Sequence, residues 1–140
     1  MTVDIEKAGL LVVRDGRVLL CRKKRGTQLL ILPGGKHEPG ETDIECLTRE
    51  LREELGEVAA NGLEHVGTYT DRATTATKTI RIHLYRGDLL GTPVASAEIA
   101  ELVWFGREDD RAQLAPSLAN TIFPDLVARG ILAWSAGDAP

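Results

Sequence analysis

The sequence predicts a single α/β domain, and three observations carry that prediction. Apolar runs of strand length recur along the chain, among them Ala8 to Val13, Val18 to Cys21 and Thr79 to Tyr85. One segment, Asp43 to Leu55, instead repeats its apolar residues at three- and four-residue steps and carries helix signals at both ends. The chain of 140 residues has the length of one domain and shows no internal repeat or low-complexity tract. A domain of that size buries about two-thirds of its unfolded surface.

Taken in order, Ala8 to Val13 reads as a strand, and Arg14-Asp15-Gly16-Arg17 as a tight turn with the Asp-Gly hairpin signal. Val18 to Cys21 returns as the partner strand. A basic loop, Arg22 to Thr27, leads to the apolar run Gln28 to Leu32, which reads as a buried strand ended by Pro33-Gly34-Gly35. Beyond the helix, Glu64 to Tyr69 and Thr79 to Tyr85 are expected strands, the second alternating so that Ile80, Ile82 and Leu84 share a face. The Thr-rich stretch from Asp71 to Lys78 connects them, and Leu102 to Phe105 forms another short strand. Ser117 is placed to cap a C-terminal helix with Leu118, Ile122 and Leu126 facing inward. Pro124 should kink or split that helix, and Gly130 should close it.

The helix from about Asp43 to Leu55 holds the chemistry. Thr42 and Glu45 form a capping box, and Gly56 supplies the stop. At about 100° per residue, Ile44, Leu47, Leu51 and Leu55 fall on one core-facing stripe. Glu50, Glu53 and Glu54 are surface neighbours beside it, and Glu41 in the preceding loop can fold back toward them. Like charges one turn apart cost roughly 0.2–0.5 kcal/mol per pair. Negative charge in the last turn also opposes the helix dipole. A divalent cation relieves both, and an all-oxygen donor set suits Mg2+ or Mn2+. On their own, without the residues around them, the glutamates read first as a solvated acidic face.

Gly35, Glu41, Arg49-Glu50-Leu51, Glu53-Glu54 and Gly56 together spell G-x5-E-x7-R-E-L-x-E-E-x-G. This resembles the Nudix box, the signature of hydrolases that cut nucleoside diphosphates linked to another group. Every fixed residue is present. One loose position departs, because Glu57 follows the last glycine where an apolar residue is usual, and Val58 comes next. The departure is expected to perturb the helix exit and not the chemistry. The resemblance implies one Nudix hydrolase domain over residues 1–140, a mixed β-sheet in an α/β/α sandwich, and Mg2+-dependent hydrolysis of a diphosphate linkage, with Mn2+ as the other ion. It implies Glu50, Glu53 and Glu54 as metal ligands, Glu41 as a further ligand or a support, and Glu53 or Glu54 as the base. Arg49 would brace the loop by a salt bridge, while Gly34 and Gly35 would place the loop against substrate. Glu98, and less so Glu101, matches a loop glutamate that in related enzymes binds metal or acts as base. The basic run ending at Arg25 offers groups for substrate phosphates.

Composition narrows the classes. Hydrophobic content of 43% with 27% charged residues is that of a soluble globular chain. A net charge of −4 argues against a general binder of nucleic-acid polymers. Cys21 and Cys46 give neither a disulfide framework nor zinc spacing and read as packed thiols. No signal-peptide layout or membrane-length run is present, so no membrane partner and a cytoplasmic location are expected. His37, His65 and His83 are scattered, and Tyr69, Tyr85, Trp104 and Trp134 read as core residues. Several substrate markers of Nudix subfamilies are missing: the proline expected for ADP-ribose falls too late, at Pro93, and the tyrosine for dinucleoside polyphosphates too early, at Tyr69. By elimination the reading is MutT-like, a small-molecule nucleoside triphosphate, oxidised ones included. ADP-ribose or a sugar nucleotide is the alternative, and a nucleotide-binding sensor without turnover is the alternative of another class. Resemblance to the family also suggests a homodimer.

Overall fold

The computed structural model describes residues 3–72 and 77–134. Strands β1 (Ile5–Leu11), β2 (Val13–Arg14), β3 (Arg17–Lys23) and β4 (Gly34–Lys36) precede helix α1 (Asp43–Leu55). Strands β5 (Ala59–Arg72), β6 (Thr79–Leu90) and β7 (Ile99–Phe105) follow, then a 3-10 turn at Arg111–Gln113, a π turn at Ser117–Ile122 and helix α2 (Phe123–Ala128). One sheet has the order β4-β1-β6-β5 and a second the order β2-β3-β7. The first is mixed: β1 and β6 run parallel, while β1 with β4 and β5 with β6 are antiparallel.

Strand alternation divides the core in two. Ala8, Leu10, Leu19 and Cys21 face α1, where they meet Leu47, Leu51 and Leu55. Leu11, Val18, Leu20, Ile82 and Leu84 face the other way, onto Ile122, Phe123, Leu126 and Trp134. Residues one apart in a strand point to opposite faces, so a sheet covered on both sides reads as a continuous apolar run. The result is the α/β/α sandwich with a mixed sheet that the sequence suggested. Among the described residues no helix is long and apolar enough to cross a membrane.

Local chemistry sets the boundaries. Asp15 and Gly16 both take positive φ, 52° and 74°, which the tight β2–β3 hairpin requires. In α1 the Thr42 hydroxyl accepts from the Glu45 amide, while the Glu45 carboxylate accepts from the Thr42 amide. Gly56 leaves the helix at φ 79°. Glu57 is exposed and Val58 buried, so the apolar residue the helix exit needs is supplied one position later.

Four expectations are corrected. Gln28 to Leu32 is not a strand, because its buried backbone is shared out: Ile31 bridges Cys21 on one side and Leu30 bridges Leu114 on the other. The strand lies instead at Gly34–Lys36, inside what reads as its terminating loop. Ile44 is 44% exposed and not a core residue. It shares the bearing of Leu51 and Leu55 but stands in the first turn, short of the apolar partners that cover them; Cys46 is the additional buried residue. Ser117 makes no capping hydrogen bond. The chain opens there into a π turn that passes into α2 at Phe123-Pro124, where proline supplies no amide for an i−4 bond. The expected strands at Glu64 to Tyr69, Thr79 to Tyr85 and Leu102 to Phe105 are the interiors of the longer β5, β6 and β7, and residues 73–76 of the expected connecting loop lie outside the described residues.

A polar pin holds α2 to β5. The Tyr69 hydroxyl donates to Asp125 at 2.5 Å, and Arg129 donates to Asp125, to the Tyr69 oxygen and to the Val66 carbonyl. These contacts, led by the Tyr69 hydroxyl, hold the Asp125 carboxyl below its ordinary value of 3.8. A carboxyl depressed in the folded state contributes stability that is present above its unfolded pKa and lost as pH falls through its folded one. The melting-temperature gap between wild type and Tyr69→Phe should therefore be steady from about pH 5 to 8 and narrow below about pH 4. In the core, Leu51→Ala should cost about 2–5 kcal/mol in denaturant unfolding.

Candidate functional site

The site is built where α1 lies against β4. A Cβ on Gly34 would come within 2.1 Å of the Ala8 carbonyl oxygen, and one on Gly35 within 2.3 Å of the Glu50 carboxyl carbon. The strand is thus squeezed between β1 and the helix at a separation that only glycine permits. Gly34 also has φ 133°, outside the range of ordinary L residues. Across this bare backbone the Gly34 amide donates to Glu54 Oε1 at 2.8 Å, and the Cys46 thiol to the Gly35 carbonyl at 3.3 Å.

Glu54 is only 8% exposed. Burial pushes its pKa up to about 7, with the neighbouring Glu50 charge adding to the rise and the Gly34 amide, Lys7 and Lys23 opposing it. Glu50 is half-buried on Gly35, with its Oε1 accepting from Arg49 Nη1 at 2.8 Å. Arg49 also grips both oxygens of Glu41 at 2.8 Å and donates to the Lys36 carbonyl at 3.0 Å. One guanidinium thereby ties loop 37–42 to the helix and orients Glu50. Glu41 is held down to about 2, first by the Arg49 hydrogen bonds and then by the Glu38 amide. It folds back onto Arg49, not over Glu50 and Glu54. Glu53 is 56% exposed, 3.7 Å from Arg49 Nη1 on the outer flank of the helix.

The loop before β7 brings in a third carboxylate. Val94 N donates to the Leu55 carbonyl and Ser96 N to the Glu54 carbonyl, both at 3.0 Å, meeting acceptors the helix end leaves free. Ala97 turns the chain with φ 53°, and Glu98 reaches the rim of the cleft. Glu101 instead pairs with Arg22 at 2.5 Å, away from the cleft.

The cleft has a volume of about 480 Å³, within the range of small-molecule sites. Glu50, Glu54 and Glu98 line it, and so do Lys7, Lys23 and Lys36. Its walls are aliphatic, from Ile5, Ile80 and Ile82 on the sheet and Leu118 on the π turn, with Ser117 beside Leu118. Of the residues the sequence nominated, Gly34, Gly35, Glu50, Glu54 and Glu98 come together here. Glu41 and Arg49 stand behind them, and Glu53 and Arg25 do not line the cleft. Lys23, two residues earlier in the basic run, lines the cleft where Arg25 does not. Lys7 and Ser117 carried no motif that would have marked them; a lysine on an inward strand position was the one available sign. Among the described residues no three His, Cys, Asp or Glu groups converge into a ready-made ion site. The donors are nonetheless carboxylate oxygens alone, and Glu54 is buried beside a like charge, so the chemistry fits a hard divalent ion. Both cysteines are buried, with the Cys46 thiol raised to about 11 and that of Cys21 higher still by burial, so neither is a nucleophile.

The NUDIX domain family model matches residues 6–125. The CTP pyrophosphohydrolase of Escherichia coli K12 is 34% identical over 109 residues, covering 75% of this chain and 78% of that protein. The oxidized purine nucleoside triphosphate hydrolase of Danio rerio is 36% identical over 99 residues, covering 69% and 62%. The solution structure of the E. coli ORF135 protein superimposes with a TM-score of 0.68 at 32% identity, covering 89% of this chain and 91% of that one.

The Arg49 clamp makes a prediction independent of activity. Arg49→Lys keeps a charge but cannot grip Glu41, Glu50 and the Lys36 carbonyl together. Amide exchange at Glu38 and Glu41 should speed up at least about tenfold while the β-sheet amides stay protected. Unchanged exchange in the loop would mean that the clamp does not hold it.

Proposed function

Because the chain belongs to the NUDIX domain family, we propose that it hydrolyses a diphosphate linkage of a nucleoside triphosphate, oxidised forms included, with Mg2+ or Mn2+ as cofactor. The chain is a hydrolase of phosphorus-containing anhydrides; substrate class and ion are the reading put forward here. The observation that carries it is the buried Glu54 beside the half-buried Glu50, both set against a glycine strand, in a cleft shared with three lysines. Three glutamates and three lysines cancel in formal charge. A divalent cation added to that set leaves the cleft positive, as a polyphosphate chain requires.

Glu50 and Glu54 would hold the ion, with Glu98 at the rim as a third donor. When bound, such an ion neutralises diphosphate oxygens and lowers the pKa of a water. Glu54 Oε1 accepts from the Gly34 amide and keeps a second lone pair for the ion, which leaves Oε2 for a proton. Glu54 takes the proton of the attacking water as the new P–O bond forms and the bridging P–O bond breaks, releasing a nucleoside monophosphate and pyrophosphate. The bare backbone at Gly34-Gly35 lets the phosphates approach. Lys23 and Lys36 offset their charge, and Arg49 keeps Glu50 in its rotamer. Glu53, on the outer flank, is assigned a lesser part than Glu54. The relatives, a CTP pyrophosphohydrolase and an oxidized purine nucleoside triphosphate hydrolase, support this substrate class over ADP-ribose or a sugar nucleotide.

The purified protein should be incubated with Mg2+ and nucleoside triphosphates (ordinary and oxidised), ADP-ribose, sugar nucleotides and dinucleoside polyphosphates, and the products separated by chromatography. Triphosphates should give monophosphate and pyrophosphate, and EDTA should abolish turnover. Glu54→Gln should lose about a hundredfold or more in kcat with an unchanged circular-dichroism spectrum, and Glu53→Gln should lose less. Wild-type turnover by Glu54→Gln would sink the assignment. Nucleotide binding without any turnover would point to a sensor.

A further inference from the structure

Lys7 sits where a strand ordinarily carries an apolar residue. On β1 the inward positions are Ile5, Lys7 and Gly9, and their partners across β6 are Ile80, Ile82 and Leu84. The ammonium is half-buried on the floor of the cleft, and burial shifts its pKa downward. Among the described residues it makes no hydrogen bond or ion pair, although Glu50, Glu54, Lys23 and Lys36 all lie close enough to act on its charge. A charge taken from water without a hydrogen-bonding partner is costly. Two of the four neighbouring charges repel it, and the two that attract it are the carboxylates assigned to the cation.

We propose that Lys7 is a substrate-binding residue whose ammonium holds a non-bridging oxygen of the substrate's diphosphate. The proposal rests on the diphosphate reading of the cleft. An ammonium offers three donors and no acceptor, which suits a phosphate oxygen. The position is well defined, because β1 is hydrogen-bonded to β4 on one side and β6 on the other. The direct cross-strand partner of Lys7 on β4 is Lys36, next to Gly35. The anion that Lys7 holds therefore lies beside the glycine backbone on which Glu50 packs. The competing role is a structural counter-charge for Glu54. That role would move the Mg2+ requirement and the melting temperature, and leave affinity for a free diphosphate unchanged.

The test uses inorganic pyrophosphate in Mg2+ buffer by calorimetry, with steady-state kinetics on the best nucleotide. Lys7→Met should weaken pyrophosphate binding about ten- to a hundredfold, as loss of one charge-assisted hydrogen bond implies. It should raise KM by a similar factor, change kcat by less than about threefold, and leave half-saturation by Mg2+ in place. Lys7→Arg should restore most of the affinity. Lys7→Met that folds and binds pyrophosphate within about twofold of wild type overturns the proposal, as does a wild type that binds none. If Lys7→Met does not fold, Lys7→Gln against Lys7→Arg decides by the same criterion. Should no nucleotide be hydrolysed, the function reading fails, while pyrophosphate affinity still decides on Lys7.

Discussion

The close approach of α1 to the backbone of Gly34-Gly35 is the constraint on which the site depends. A single added carbon at either glycine would collide with the Ala8 carbonyl or the Glu50 carboxylate. Because there is none, the helix lies near enough for Glu54 to accept from the Gly34 amide and for Cys46 to reach the Gly35 carbonyl. The same approach lets Arg49 reach the Lys36 carbonyl. A wider spacing would release Glu54 to solvent and separate Arg49 from the loop it holds. Packing distance, set by two missing side chains, fixes the electrostatics of the cleft.

Those electrostatics are balanced in two ways. Glu41 and Glu50 share one guanidinium, whose hydrogen bonds hold the Glu41 carboxyl at about 2. Glu54 has one amide and no direct cation, and burial dominates, raising it to about 7. The two outcomes differ because hydrogen bonding to the charged form wins at Glu41 and desolvation wins at Glu54. Glu54, buried against the glycine strand, is thus the carboxylate left without a direct cation. Lys7 mirrors it as a cation short of a partner. The two opposite charges line one cleft without an ion pair between them among the described residues.

Much of this was legible in the sequence, and the reasons are local. The capping box, the Asp-Gly turn and the stop at Gly56 are short-range chemistry, and α1 has the ends they dictate. The box glutamates were recognisable by spacing, but spacing could not rank them: Glu53 and Glu54 are adjacent, and only the orientation of the helix against β4 exposes one and buries the other. Gln28 to Leu32 misled because an apolar run says buried and not paired; its hydrogen bonds are split between Cys21 and Leu114, far apart in the chain. Glu98 is one loop glutamate among several in the sequence, and the docking of Val94 and Ser96 on the end of α1 gives it a place. Lys7 was invisible for the same reason: its meaning comes from β4 and β6 beside it, not from its neighbours in sequence.

The position of the cleft follows from the division of the strands into two sheets. Its floor comes from β1 and β6 of the first sheet, while Lys23 ends β3 of the second and Glu98 immediately precedes β7. The cleft therefore lies at the seam where the sheets part, and groups from both line it. β4, three residues long and at the edge of its sheet, is short enough for carboxylates of α1 to line a cleft whose floor is the sheet face turned toward α2. A longer edge strand bearing side chains would close that route. The shortness of β4 and its glycines serve one end: they let the acidic flank of a helix packed on one side of the sheet line a cleft whose floor is the other.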